Sequence, residues 1–208
     1  MINLILSETK RSEIYLKELI KNKVKINAII LYSKSFGRVY ELINKKKLNK
    51  ININCKTNNI NSEKIYKKLS HNKAKINIVS TYSGEIVKNP SLLKKKLYHC
   101  HPGDLPKFKG STTIYYAVIL KKKIFVSIFQ MGKKIDEGKL VYKKKFNYPK
   151  NFKNIERSFD NNIRALTLID FIKKKKIKKY NNIKNNYLPY YIVHPIIRQI
   201  VLNKKSLK

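Results

Sequence analysis

The sequence predicts an α/β fold: a Rossmann-like open, mostly parallel sheet flanked by helices. Short apolar runs of strand length alternate with segments whose apolar residues recur at helical spacing, as successive βαβ units require. Right-handed crossovers would then place helices on both faces of the sheet. A further observation locates the chemistry. Two of four histidines, two of six prolines and four of six glycines fall between residues 99 and 138, where a strand runs into a loop. Sites in open α/β sheets lie at such strand ends.

Taken in order, Ile2 to Leu6 is an apolar run that reads as a buried first strand. Ser7 or Thr9 can cap the helix that follows, whose Tyr15, Leu16, Leu19 and Ile20 share one face. Ile26 to Tyr32 is the second buried strand, and Val39, Leu42 and Ile43 mark the second helix. Ile51 to Cys55 alternates apolar with polar and reads as a strand with one polar face. Ile65, Tyr66 and Leu69 mark a short third helix, and Ile76 to Thr81 a further apolar strand ending in Tyr82-Ser83-Gly84.

Leu97-Tyr98 leads into the organising stretch, and a helical run from Ser111 to Leu120 leads out of it. Ile124–Met131 and Leu140–Phe146 read as two more strands flanking the Asp136 loop, before a long helix from about Ile155 to Phe171. With no internal repeats and no Pro/Gly/Ser linker, residues 1–180 are expected to form one catalytic domain. The remaining 181–208 form a basic and aromatic tail expected to pack on it. Within this region Lys173 to Asn186 suggests a solvated connection, whereas the apolar residues from Tyr187 to Arg198 suit packing, a dimer contact or a substrate lip.

The chain of 208 residues is long enough for a substantial core, and 42% apolar content is ordinary for a globular protein. The formal charge of +36 is extreme and would suit nucleic acid or an anionic surface. The excess is nearly all lysine, with arginine only at 11, 38, 157, 164 and 198. Lysine, asparagine and isoleucine all have A/T-rich codons, so a low-GC genome accounts for the bias without a nucleic-acid partner. Cys55 and Cys100 lack metal-site spacing and suit a reducing compartment. The start of the chain lacks signal-peptide character, and no apolar run reaches membrane-spanning length, so a cytoplasmic protein is expected.

The organising stretch reads His99-Cys100-His101-Pro102-Gly103-Asp104-Leu105-Pro106, then Lys107-Phe108-Lys109-Gly110, and later Gln130-Met131 and Ile135-Asp136-Glu137-Gly138. This resembles the 10-formyltetrahydrofolate-dependent formyltransferases. That family carries Asn-x-His-Pro-Ser-Leu-Leu-Pro, a short spacer and Gly, then a distal Asp-x-Gly. Two departures stand out: His99 occupies the family's asparagine position, and Gly103-Asp104 replaces Ser-Leu. The resemblance implies the formyltransferase fold and 10-formyltetrahydrofolate as formyl donor.

Formyl transfer requires a deprotonated amine, a stabilised oxyanion and a proton relayed from the attacking toward the leaving nitrogen. It also requires exclusion of water. By the resemblance His101 would donate to the oxyanion or carry the proton, and Asp136 would orient it. A neutral His99 imidazole could replace the asparagine with one N–H, whereas a second cation beside His101 would be disfavoured. The His99-x-His101 pair with Asp136 could also be imagined as a metal site; the triad reading is preferred, and no metal is expected. The folate cleft of the family maps to Thr81, Tyr82, Ser83 and Gly84, with Gly110 and Ile135. Lys107 and Lys109 could attract a polyanionic glutamyl tail, though each reads more simply as solvated.

Ser7 to Ser12 lacks the glycines of the family's ribonucleotide phosphate loop, which argues against purine synthesis. The residues after the last strand do not resemble the C-terminal β-domain of methionyl-tRNA enzymes. What remains resembles the compact branch of the family that formylates amino sugars, often nucleotide-linked, for surface polysaccharide, and that resemblance makes an amino sugar the expected acceptor. The alternatives are a methionyl-tRNA formyltransferase-like enzyme, a decayed and basic nucleic-acid-binding protein, and a formyltetrahydrofolate hydrolase. The last normally carries an N-terminal regulatory domain, which is not expected here.

Overall fold

A computed structural model describes residues 1–174 and 187–204. Seven strands form one sheet in the order β3-β2-β1-β4-β5-β6-β7. They are β1 (Ile2–Ser7), β2 (Ile26–Tyr32), β3 (Asn52–Asn54), β4 (Ile76–Ser80), β5 (Leu97–His101), β6 (Ile124–Met131) and β7 (Gly138–Phe146). The ladders β1–β2, β1–β4, β2–β3 and β4–β5 are all parallel. Successive strands are added outward from β1 to β3 and then, from β4, on the other side of β1, the kind of switch point beside which open α/β sheets bind ligands.

The chain divides into two compact units, Met1–His99 with Gln130–Lys133, and Cys100–Phe129 with Lys134–Lys208. The first is built on mostly apolar strands, with Asn3 of β1 donating to Asn77 of β4 and accepting from Asn27 of β2, each at 2.9 Å. Every residue of β1 is buried, as expected of a parallel strand covered on both faces. Ile5, Ile30, Tyr32, Ile65, Val79 and Leu97 belong to one buried cluster. The helices α1 (Lys10–Lys21), α2 (Arg38–Lys45) and α3 (Glu63–His71) connect the strands. Thr9 caps α1 by accepting from the Ser12 amide at 3.2 Å, so of the two expected caps Thr9 is the one used.

The structure differs from the expected elements at four places. Ile51 belongs to a 3₁₀ turn, leaving β3 only three residues long. A one-turn helix, α4 (Pro90–Leu93), forms where none was expected, with Asn89 capping the Ser91 and Leu92 amides and proline at a position needing no amide donor. The helix after 110 is α5 (Thr113–Ile119), shorter than expected because Thr112 adopts a left-handed backbone. The expected long helix opens with a π-helical turn over Ile155–Asp160 and becomes α6 only at Asn161–Lys174. In that turn the Phe159 amide donates to the Asn154 carbonyl, five residues back, at 3.3 Å. This register brings residues five apart toward one face, so Ile155 and Asp160 are both buried.

In the second unit, Ile114, Val118, Val126, Phe129, Val141 and Leu168 supply buried apolar surface. Residues 187–204 rejoin this unit, ending in α7 (Pro195–Leu202). Tyr190 pairs with Gly110, and the Arg198 guanidinium donates to the Tyr115 hydroxyl at 3.2 Å. The expected solvated connection over 173–186 and the boundary at 180/181 lie largely outside the described residues, which resume at Tyr187.

Candidate active site

Strand β5 ends at His101 because Pro102 and Gly103 begin an irregular loop whose backbone is satisfied by neighbouring side chains. The Thr113 hydroxyl donates to the Pro102 carbonyl at 2.5 Å, and the Ser127 hydroxyl donates to the Gly103 carbonyl at 2.6 Å. Ser127 also accepts from the Leu105 amide at 3.2 Å. The following Leu105–Pro106 peptide is cis. Beneath the loop, Arg164 and Asp160 form a buried bidentate pair at 2.9 and 2.7 Å. The same guanidinium donates to the Cys100 carbonyl at 3.3 Å, tying the end of β5 to α6.

His101 is 3% exposed. Its Nε2 lies 2.6 Å from the Phe108 carbonyl, which can only accept, so Nε2 carries a hydrogen and donates it. Its Nδ1 lies 3.3 Å from Asp136 Oδ1. Both ring nitrogens therefore face acceptors. Asp136 is itself fixed: its other oxygen, Oδ2, accepts from the Gly110 amide at 2.7 Å. Asp136 has a left-handed backbone, which aspartate tolerates better than most residues. The carboxylate can thus hold or accept a proton at Nδ1 without losing its own orientation.

Gly103 explains one departure from the family motif. A Cβ there would meet the Phe108 carbonyl oxygen at 2.2 Å and His101 Nε2 at 2.5 Å. The serine of the motif cannot occupy this backbone, and glycine admits the His101–Phe108 bond. The neighbouring Asp104 carboxylate pairs with Lys143, whose ammonium also donates to the Leu105 carbonyl at 2.9 Å.

Lys107 is exposed, as expected, but Lys109 is not. Lys109 is 4% exposed, and its ammonium lies 3.7 Å from Glu137. The expectation of a solvated lysine fails because the turn carrying Asp136 also brings Glu137 to it. Only the acidic pair Asp136-Glu137 hints at this in the sequence.

The remaining expected site residues lie in the first unit, apart from Ile135, an exposed residue of the second. His99 Nδ1 lies 3.2 Å from the Val79 carbonyl and donates to it. A neutral ring has one N–H, so with Nδ1 so engaged, His99 can donate from Nε2 only as an imidazolium. Thr81 is buried, while Ser83 and Gly84 are exposed. Gly84 has a positive φ of 77°, and no atom lies within 4 Å of the place a Cβ would take. Glu85 organises this loop by accepting from the Tyr82 amide at 2.8 Å and the Tyr32 hydroxyl at 2.6 Å. Burial, followed by the Glu85 carboxylate, raises the Tyr32 phenol well above its ordinary range.

Glu8, at the carboxyl end of β1, is a residue that sequence reading passed over. Its two oxygens accept from the Val39 and Tyr40 amides at 2.9 and 3.0 Å, occupying the N-terminus of α2. A Cβ on Gly37 would approach Glu8 Oε2 to 3.0 Å. The Glu8 carboxylate takes the place at these amides that a phosphate would need.

The architecture has close counterparts among solved structures. A sugar N-formyltransferase from Shewanella sp superposes with a TM-score of 0.60 at 18% identity, covering 91% of this chain and 76% of that one. A phosphoribosylglycinamide formyltransferase from Streptococcus pneumoniae gives 0.61 at 15% identity, covering 83% and 97%. The fold is that of the formyltransferases. The formyltransferase PseJ from Anoxybacillus kamchatkensis, solved with UDP-4,6-dideoxy-4-formamido-L-AltNAc and tetrahydrofolate, gives 0.55 at 13% identity, covering 91% and 85%. No protein-family model and no curated protein matches the chain.

Among the described residues no group of three or more His, Cys, Asp or Glu could hold a metal ion. No helix among them is long and apolar enough to cross a membrane.

Proposed function

We propose that this chain transfers a formyl group from 10-formyltetrahydrofolate to a primary amine, most specifically an amino sugar linked to a nucleotide. The observation that carries the reading is the buried His101–Asp136 pair, with Asp136 locked by the Gly110 amide, at the end of β5 in a formyltransferase fold. In the first unit, the exposed backbone at Ser83-Gly84 suits a flat heterocycle that binds mainly through main-chain groups. When bound, the folate would supply an activated formyl carbon.

The chain's own groups supply proton handling and position. Asp136 Oδ1 faces His101 Nδ1, and Nε2–H stays on the Phe108 carbonyl, so the ring is oriented before any ligand arrives. Transfer of a proton from an attacking amine toward Asp136 or His101 is the step this geometry serves. Glu8 supports an acceptor other than a phosphoribosyl amine, since its carboxylate occupies the α2 amides after β1. The PseJ complex supports a nucleotide-linked amino sugar by analogy of fold.

The test is absorbance-monitored release of tetrahydrofolate from 10-formyltetrahydrofolate, with and without a panel of amino sugar nucleotides, glycinamide ribonucleotide and methionyl-tRNA. The proposal expects release dependent on an amino sugar nucleotide. His101→Ala and Asp136→Ala should each lower it by about a thousandfold with the fold retained. Release without acceptor would identify a hydrolase. Robust release only with methionyl-tRNA, or tight nucleic-acid binding without turnover, would overturn the amino sugar assignment.

A further inference from the structure

The segment Phe108 to Ser111 carries His101 and Asp136 on some of its groups and residue 190 on others. The Phe108 carbonyl takes the His101 Nε2–H, and the Gly110 amide holds Asp136 Oδ2. The intervening and following groups pair with a single residue of the C-terminal segment. The Tyr190 amide donates to the Lys109 carbonyl at 2.8 Å, and the Ser111 amide donates to the Tyr190 carbonyl at 2.8 Å. The Tyr190 ring stacks on Phe108, with centroids 5.3 Å apart and planes 13° apart. It also packs against Tyr116 at 4.5 Å.

Gly110 is shaped for this pairing. Its φ is +98°, and a Cβ there would lie 2.3 Å from the Tyr190 carbonyl oxygen and 2.7 Å from its nitrogen. The next turn of the segment is tied as well: the Val193 amide donates to the Thr112 hydroxyl at 2.9 Å.

We infer that Tyr190 is a positioning residue for the His101–Asp136 pair. By pairing on both sides of Gly110 and stacking on Phe108, it holds the carbonyl that fixes His101 and the amide that fixes Asp136. Neither contact requires Tyr190 to touch a substrate. The inference rests on the formyl-transfer reading for its kinetic consequence, but its structural consequence can be measured without turnover.

The experiment follows the His101 Nε2–H resonance by NMR in the full chain, assigned by its loss in His101→Gln, together with formyl-transfer kinetics. In the wild type this proton should exchange slowly, being buried and bonded. Tyr190→Ala should speed its exchange by about tenfold or more and lower kcat by about tenfold, with KM for the formyl donor within about twofold. Tyr190→Phe, which keeps the stack, should match the wild type in both. If Tyr190→Ala does not fold, Tyr190→Leu keeps the bulk without the stacked ring and serves the same comparison. Unchanged exchange in the folded variant would overturn the inference. So would a raised KM with the proton still protected, since that marks a substrate contact. If the wild type transfers no formyl group while the exchange still depends on Tyr190, the activity reading fails and the positioning role stands.

Discussion

The two compact units are stabilised in different ways. In the first, order comes from mostly apolar strands: β1 is wholly buried, and its neighbours β2 and β4 run parallel to it in ladders that are regular but for one register shift at Ile2/Asn3. Its charged contacts sit at the margin, as with Glu13, which pairs with Lys10 and Lys17, both half-exposed. In the second, order at the site comes from individual polar bonds to loop backbone, made by Arg164, Ser127, Thr113 and Asp136. A regular ladder shares its load over many equivalent bonds. A loop depends on each bond separately, so single polar substitutions should cost far more in the second unit than in the first.

Asp160→Ala should show the largest effect on stability. It leaves the Arg164 guanidinium buried without its carboxylate, at a cost of about 3–5 kcal/mol in urea unfolding. A loss below about 1 kcal/mol would erase the contrast between the units, because it would equal a surface pair. Gly103→Ala sharpens the comparison from the catalytic side. The added Cβ must displace either the Phe108 carbonyl or the His101 ring, costing about 1–3 kcal/mol of stability. Turnover should fall by roughly a hundredfold as the ring shifts. An active and fully stable variant would show that the His101–Phe108 bond does not position the ring.

Glu13→Gln should show the smallest effect. Burial pushes the Glu13 carboxyl up, but hydrogen bonds and charges from Lys17 and Lys10 outweigh it, so the group titrates below its ordinary range. A carboxyl lowered on folding adds stability above its unfolded pKa and loses it as pH falls through the folded value. Wild type should therefore exceed Glu13→Gln by about 1 kcal/mol at neutral pH. Thermal melts should show the two converging in acid. A gap that persists or widens there would refute the ion-pair account.

The same contrast governs what could be read from the sequence. Mostly apolar runs at Ile2–Leu6, Ile26–Tyr32 and Ile76–Thr81, each with an asparagine at its second position, announce parallel strands, because burial on both faces leaves no regular polar alternation. The motif from His101 to Gly110 and Asp136 was legible through spacing. Loop geometry left weaker traces. The burial of Lys109 depends on Glu137 arriving from a distant turn, and Glu8 capping α2 depends on a contact across thirty-one positions. Neither follows from local periodicity. The π-helical turn at Ile155–Asp160 likewise requires knowing that Asp160 must face Arg164. The partnership of Tyr190 with Gly110 joins residues eighty apart, and nothing in either neighbourhood marks it.

In the proposed reaction, His101 and Asp136 serve the transfer of a formyl group onto an amine. That reaction is tested most directly by following a ¹³C-formyl label from 10-formyltetrahydrofolate by NMR in the presence of amino sugar nucleotides. The account predicts that the label appears as a formamide on the sugar with the wild type, and remains on the folate with Asp136→Asn. Label released as free formate, or left on the folate by the wild type, would contradict it.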